Sequence, residues 1–115
     1  MTDYMAITTE LPPYFFFPWF LMEMDLTLTA KLTYALLLDR ARLSQLNSWT
    51  DEAGRIYIIF PIEKIAERLS KSLTTIKSAL TELEAAGLIE RKRQQFSQPN
   101  HIYVKLPDRQ KISRP

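Results

Sequence analysis

Apolar positions recur along this chain at helical spacing, then shift to short β-branched runs. Leu32, Ala35, Leu36, Leu43 and Leu46 fall on one helical face, which Leu37 and Leu38 widen. That pattern predicts a first helix from Leu28 to about Leu46. Thr27 is its expected N-cap, although Ala30 leaves a capping box incomplete. A face so broad needs a second surface to cover it, and the preceding aromatic run is the candidate. Asn47 to Gly54 is a polar turn, and Arg55 to Phe60 reads as a short buried strand.

Pro61 suits the first turn of a second helix, because its missing N–H costs nothing there. Ile62, Ile65, Ala66 and Leu69 form that helix's narrow apolar stripe. Ser70-Lys71-Ser72 is a turn, with Ser72 placed to cap a third helix from Leu73 to Ala86. Within it Leu73, Ile76, Leu80 and Leu83 are expected to face inward, and Gly87 ends it in the left-handed region. Leu88 to Arg93 and His101 to Leu106 then read as two strands around Gln94 to Asn100. Helix, tight turn, helix and basic hairpin predict an α+β fold, mainly α: a winged helix-turn-helix with three main helices and a small antiparallel wing sheet.

At 115 residues the chain suits one domain, and 46% hydrophobic with 11% aromatic residues excludes general disorder. It divides into an aromatic arm (1–26), the winged-helix domain (27–107) and a polar linker (108–115), as in a fragment cut from a longer protein. Without cysteine there is no disulfide, thiolate metal site or cysteine nucleophile. With His101 alone, a histidine metal site or a serine triad is not expected. With two glycines there is no Gly-rich phosphate loop, so the reading is non-catalytic, with no cofactor and no metal. No basic n-region marks a signal peptide, and the apolar run Tyr14–Met22 is too short to span a membrane. A cytoplasmic, soluble protein is the expectation.

The net charge of +2 hides an asymmetry. Residues 1–30 hold four acids and no Lys or Arg, whereas residues 71–115 hold nine basic residues against four acidic ones. The basic half coincides with the third helix and the wing, where a phosphate backbone would sit.

With its apolar stripe inward, the third helix shows Thr74, Thr75, Lys77, Ser78 and Thr81, preceded by Lys71 and Ser72. Short hydroxyls and a cation in the first two turns suit a recognition helix, though Ser and Thr discriminate bases poorly. The wing carries Arg91, Lys92, Arg93, Gln94, Gln95, Ser97, Gln98, Asn100 and Lys105, suited to phosphates and the minor groove. The plainer alternatives are a solvated helix face and a mobile charged hairpin tip. Tyr14, Phe15, Phe16, Phe17, Trp19 and Phe20 do not sort onto one face. They either pack on the first helix or are shared across a homodimer; a ligand cage is a third reading.

The chain resembles the N-terminal domain of the RepA-type plasmid replication initiators of low-GC Gram-positive bacteria, from about Tyr14 to Leu106. The resemblance is carried by Leu26 to Arg40, Trp49 to Ile58, Leu80 to Gln94 and Gln98 to Lys105. The helix-to-wing part is common among winged helices. Asp39-Arg40 and Trp49 to Tyr57 joined to the Pro99-Asn100-His101-Ile102-Tyr103-Val104 wing are more specific. The resemblance implies a dimeric domain that binds repeated sites (iterons) in a plasmid origin. It also implies host replication proteins engaged only through the absent C-terminal domain. A transcriptional repressor of the same fold, or a protein-docking and dimerisation module, is the alternative.

Overall fold

A computed structural model of the chain describes residues 2–95 and 98–108. It contains a 3-10 helix (Trp19–Glu23), α1 (Leu28–Leu46), α2 (Ile62–Leu69), α3 (Leu73–Ala85), and strands β1 (Ile89–Lys92) and β2 (His101–Val104). The three helices and the wing follow the expected order. Each strand is shorter than the expected span, and Leu106 lies beyond β2, largely exposed.

The expected caps form. The Thr27 hydroxyl accepts the Ala30 N–H, and the Ser72 hydroxyl accepts the Thr75 N–H, each satisfying a first-turn donor. Pro61 stands just ahead of α2, where its carbonyl accepts from Lys64 and Ile65. Ser70 closes α2 in the left-handed region (φ 55°), and Gly87 (φ 77°) follows α3, reversing the chain into β1. Glycine is favoured at this last position because a Cβ is strained at positive φ.

Three inward assignments change. The buried stripe of α1 runs through Ala30, Thr33, Tyr34, Leu37, Ala41 and Ser44, so Leu43 and Leu46 face solvent. Apolar side chains surround α1, so spacing could not fix its inner face; tertiary partners did. Two polar groups on the buried stripe are satisfied: the Thr33 hydroxyl donates to the Thr29 carbonyl, and Tyr34 donates to the Lys105 carbonyl at 2.7 Å. Leu73 is 45% exposed, because the first turn of α3 extends past the core; Ile76, Ala79, Leu80 and Leu83 are buried instead.

The expected strand at 55–60 is reduced to isolated pairings. Thr50 bridges Ile56, and Ile58 exchanges two 2.9 Å backbone bonds with Ile102. Ile58 and Phe60 point into the core while Ile59 does not, so alternation survives without a full ladder. In the two-stranded sheet Ile89 pairs with Val104, Glu90 with Tyr103, Arg91 with Ile102, and Lys92 with His101. Ile89 and Ile102 join Leu37, Ile65, Ile76, Leu80 and Leu83 in one core.

The aromatic arm divides. Phe20 is buried edge-on against Tyr34 at 5.6 Å, Leu21 is fully buried, and Phe17 packs against the core. Tyr14, Phe15, Phe16 and Trp19 remain exposed, with Phe16 5.5 Å from the Arg42 guanidinium. Residues 109–115 of the expected linker, and Ser97 of the wing, lie outside the described residues.

Candidate nucleic-acid interface

The outer face of α3 is open. Lys71, Ser72, Thr74, Lys77, Ser78 and Thr81 are all exposed. Thr75 is half-buried, and its hydroxyl lies 2.8 Å from that of Ser72, within the helix cap. The face available to a partner is therefore Thr74, Lys77, Ser78 and Thr81, with Lys71 at its N-terminal end. At that end the helix dipole and unpaired N–H groups favour an anion.

The wing grows directly out of α3. After Gly87 the Leu88 N–H returns to the Leu83 carbonyl at 3.0 Å, and β1 starts one residue later. Arg91 does not stand free in the wing. Its guanidinium donates to Glu84 Oε1 through Nε (3.0 Å) and Nη2 (2.6 Å), and its backbone N–H donates to Oε2 at 3.2 Å. The Arg91 guanidinium holds the Glu84 carboxyl below the usual carboxylate range, with a smaller opposing push from burial.

The remaining wing cations are more open. Lys92 sits 5.3 Å from the Tyr103 ring and 3.8 Å from Glu90, still 44% exposed. Arg93 is exposed and pairs with no acid among the described residues. Gln94 donates to the Lys92 carbonyl at 3.2 Å, while Gln95, Gln98, Asn100 and Lys105 are exposed. Gln98 to Asn100 border a groove of about 290 Å³ whose other walls include Pro61, Glu63 and Leu80, so the wing loop runs beside the helix-turn-helix.

The outer face of the sheet is aromatic. His101 stacks on Tyr57 at 4.1 Å, Tyr103 lies 6.2 Å from Tyr57, and the Arg55 guanidinium covers Tyr103 at 5.4 Å. Asp51 joins this cluster by accepting from Arg55 Nε and from the Arg55 and Ala53 backbone N–H groups. Those donors, the Arg55 N–H foremost, lower its carboxyl below the ordinary value. His101 is thus a stacked strand residue, as its position beside the wing suggested.

Sequence reasoning missed the parts played by Glu82 and Glu84. Both lie in a helix whose solvent face offers acids no special signal, and their partners lie 55 and seven residues away. Among the described residues no His, Cys, Asp and Glu group could hold a metal ion, and no helix is long and apolar enough to cross a membrane.

This geometry has known counterparts. The family model for the replication initiator protein A (RepA) N-terminus matches residues 13–113. The chain belongs to that family. The fold of this RepA N-terminal domain is similar to a solved structure of the N-terminal domain of a DNA binding protein (TM-score 0.71, 29% identity, 93% of this chain and 86% of that one). It is also similar to a Rep–DNA complex (TM-score 0.70, 33% identity, 83% and 76%) and an MDR initiator (TM-score 0.68, 30% identity, 83% and 78%). A 41 kDa protein of Lactobacillus helveticus is 30% identical over 121 residues, which cover 94% of this chain. The chain spans about a third (33%) of that relative's length. The expected family and winged-helix architecture therefore both hold.

Proposed function

We propose that this domain binds the repeated duplex sites of a plasmid replication origin on behalf of an initiator. In this reading α3 enters the major groove with Lys77, Ser78 and Thr81 toward base edges. Lys92 and Arg93, with Gln95, Gln98 and Asn100, lie on the backbone and the adjoining minor groove. Lys71 and Lys105 add phosphate contacts at the two margins. Arg91 contributes by holding the wing, since its guanidinium is engaged by Glu84.

The observation that carries the reading is a hydroxyl-and-lysine helix face joined through one tight turn to a cationic wing, in a chain of the initiator N-terminal family. The similar fold of a protein in a Rep–DNA complex supports it. The domain has no catalytic role here and acts in the cytoplasm, where plasmid DNA resides. Contacts to host replication proteins fall to the part of the initiator beyond this domain. Exposed Tyr14, Phe15, Phe16 and Trp19, with Leu43 and Leu46 of α1, form the apolar surface through which a homodimer assembles.

Titrating the native plasmid's origin repeats at several salt concentrations tests the assignment. Lys92→Ala with Arg93→Ala should weaken binding to every duplex and lower the salt slope by about 1 per lost phosphate contact. Unchanged affinity and slope would remove the wing from the interface.

A further inference from the structure

We infer that Glu84 is a positioning residue of the DNA interface: by holding Arg91 at both its guanidinium and its backbone N–H, it sets where Lys92 and Arg93 stand relative to the outer face of α3. The inference rests on the origin-binding reading above and adds to it the part that aligns the two contacting elements.

The geometry begins at the sheet edge. Ile102 directs its own N–H and carbonyl to Ile58, so the Arg91–Ile102 pair exchanges no ladder bonds. Arg91 therefore turns its backbone N–H outward from the free edge of β1. Glu84 Oε2 accepts that donor, and Oε1 takes the guanidinium of the same residue. One carboxylate thus grips both the strand and its side chain. Lys92 and Arg93 follow one and two residues later, within about 7 Å along an extended chain. Between α3 and β1 the backbone makes a short turn through Gly87; the Leu88 N–H bond to Leu83 and the buried Ile89 fix the start of the strand, and Glu84 reaches its outer half at Arg91.

The charge arrangement makes the role testable by sign. Glu84 lies seven residues after Lys77, which at helical pitch places it within about 20° of that side chain. It is therefore an acid on the helix face assigned to DNA. If its effect were electrostatic alone, neutralising it would remove repulsion toward phosphates and tighten binding. A positioning role predicts the opposite, because the wing cations lose their fixed distance from α3.

The experiment measures duplex binding by fluorescence anisotropy on the native origin repeats across a salt series. It compares the unsubstituted domain, Glu84→Gln, the Lys92→Ala/Arg93→Ala pair, and all three changes together. Glu84→Gln should weaken binding on the order of tenfold and make the salt dependence shallower, toward that of the wing pair. Added to the wing pair it should change nothing further, because the contacts it aligns are gone. Arg91→Lys keeps the cation and the backbone donor but loses the planar fork, and should lower the slope in the same direction. It serves as the second reading if Glu84→Gln does not fold. Equal or tighter binding by Glu84→Gln, a full additive loss in the wing-pair background, or an unaltered slope for Arg91→Lys each overturns the inference. If the unsubstituted domain lacks salt-dependent affinity, the origin-binding reading falls and this inference with it. Normal binding with an unaffected Glu84→Gln removes the inference alone.

Discussion

Glu82 of α3 grips Thr27 at the start of α1 with both carboxylate oxygens: Oε2 accepts the Thr27 backbone N–H at 2.7 Å, and Oε1 accepts its hydroxyl at 2.8 Å. In a local capping box the backward bond to the cap N–H comes from an acid three residues on. That position is Ala30 here, and a carboxylate 55 residues away supplies the bond instead. The Thr27 hydroxyl remains free to accept the Ala30 N–H at 3.2 Å. The negative charge also lies at the positive end of the α1 dipole. Glu82 and Glu84 thereby tie α3 to the first helix on one side and to the wing on the other.

Glu82→Ala should lower stability by about 1–2 kcal/mol, the range for losing a helix cap with a charge-assisted bond. Urea denaturation measures it. Combined with Thr27→Ala the losses should be less than additive, because both substitutions remove the bond between the Thr27 hydroxyl and the Glu82 carboxylate; full additivity would show that the two residues act separately.

Tyr34 is fully buried, and its hydroxyl donates to the Lys105 carbonyl at 2.7 Å, tying α1 to the end of β2. Tyr34→Phe leaves that carbonyl without its partner and should cost about 1–2 kcal/mol in chemical denaturation. Burial also pushes the Tyr34 hydroxyl well above the ordinary tyrosine value. An alkaline ultraviolet titration should therefore show Tyr34 missing from the first ionising phase, and Tyr34→Phe should leave that phase unaltered.

Asp51 and Glu84 both ionise below their ordinary values, Asp51 through the Arg55 backbone N–H and Glu84 through the Arg91 guanidinium. A depressed folded-state value means stabilisation is complete above the unfolded-state value and is lost as pH falls through the folded one. Stability should hold through neutral pH and decline on acidification past the ordinary carboxylate range. Asp51→Asn and Glu84→Gln should each flatten that decline in denaturation curves recorded between neutrality and pH 3; an unaltered slope in both variants would refute the assignment.

On α3, Lys77 is exposed while the Thr75 hydroxyl is drawn into the Ser72 cap. Lys77→Ala should alter the ranking of duplex sequences selected from a random pool, with discrimination changed by about 1–3 kcal/mol if it contacts a base edge. Thr75→Val should act mainly on helix stability. A reversed pattern would rotate the recognition face by one helical step.

Within the arm, Phe20 and Trp19 should behave differently despite being neighbours. Phe20→Ala opens the core beside Tyr34 and should cost ~3–5 kcal/mol. Trp19 is 55% exposed, so Trp19→Ala should leave the fold intact and shift sedimentation toward monomer. A domain that sediments as monomer at micromolar concentration without any substitution would exclude the proposed apolar interface.

Helix boundaries and punctuation were legible because they depend on neighbours in the chain. Thr27, Ser72 and Gly87 act through their own backbone geometry or through bonds to residues three positions away. The strand expected at 55–60 was overestimated: β-branched composition marks Arg55 to Phe60, yet only Ile58 finds a backbone partner on β2. The candidate interface was legible as exposed Lys77, Ser78 and Thr81 beside a run of cations. The separate duty of Arg91 was hidden, since three consecutive cations look alike until folding brings Glu84 of α3 against one of them.

The order of helices, their caps and the excess of positive charge in the second half follow from the sequence alone, because each arises from short-range backbone chemistry or from composition. Tertiary packing alone decided which side of α1 is buried, which arm aromatics are covered and which acids hold α3 in place. Those outcomes depend on which surfaces meet, and an apolar helix such as α1 offers several sides of similar hydrophobicity. Its inner side became Ala30, Thr33, Tyr34, Leu37, Ala41 and Ser44 where contacts could pack closely and the Thr33 and Tyr34 hydroxyls could find carbonyl partners.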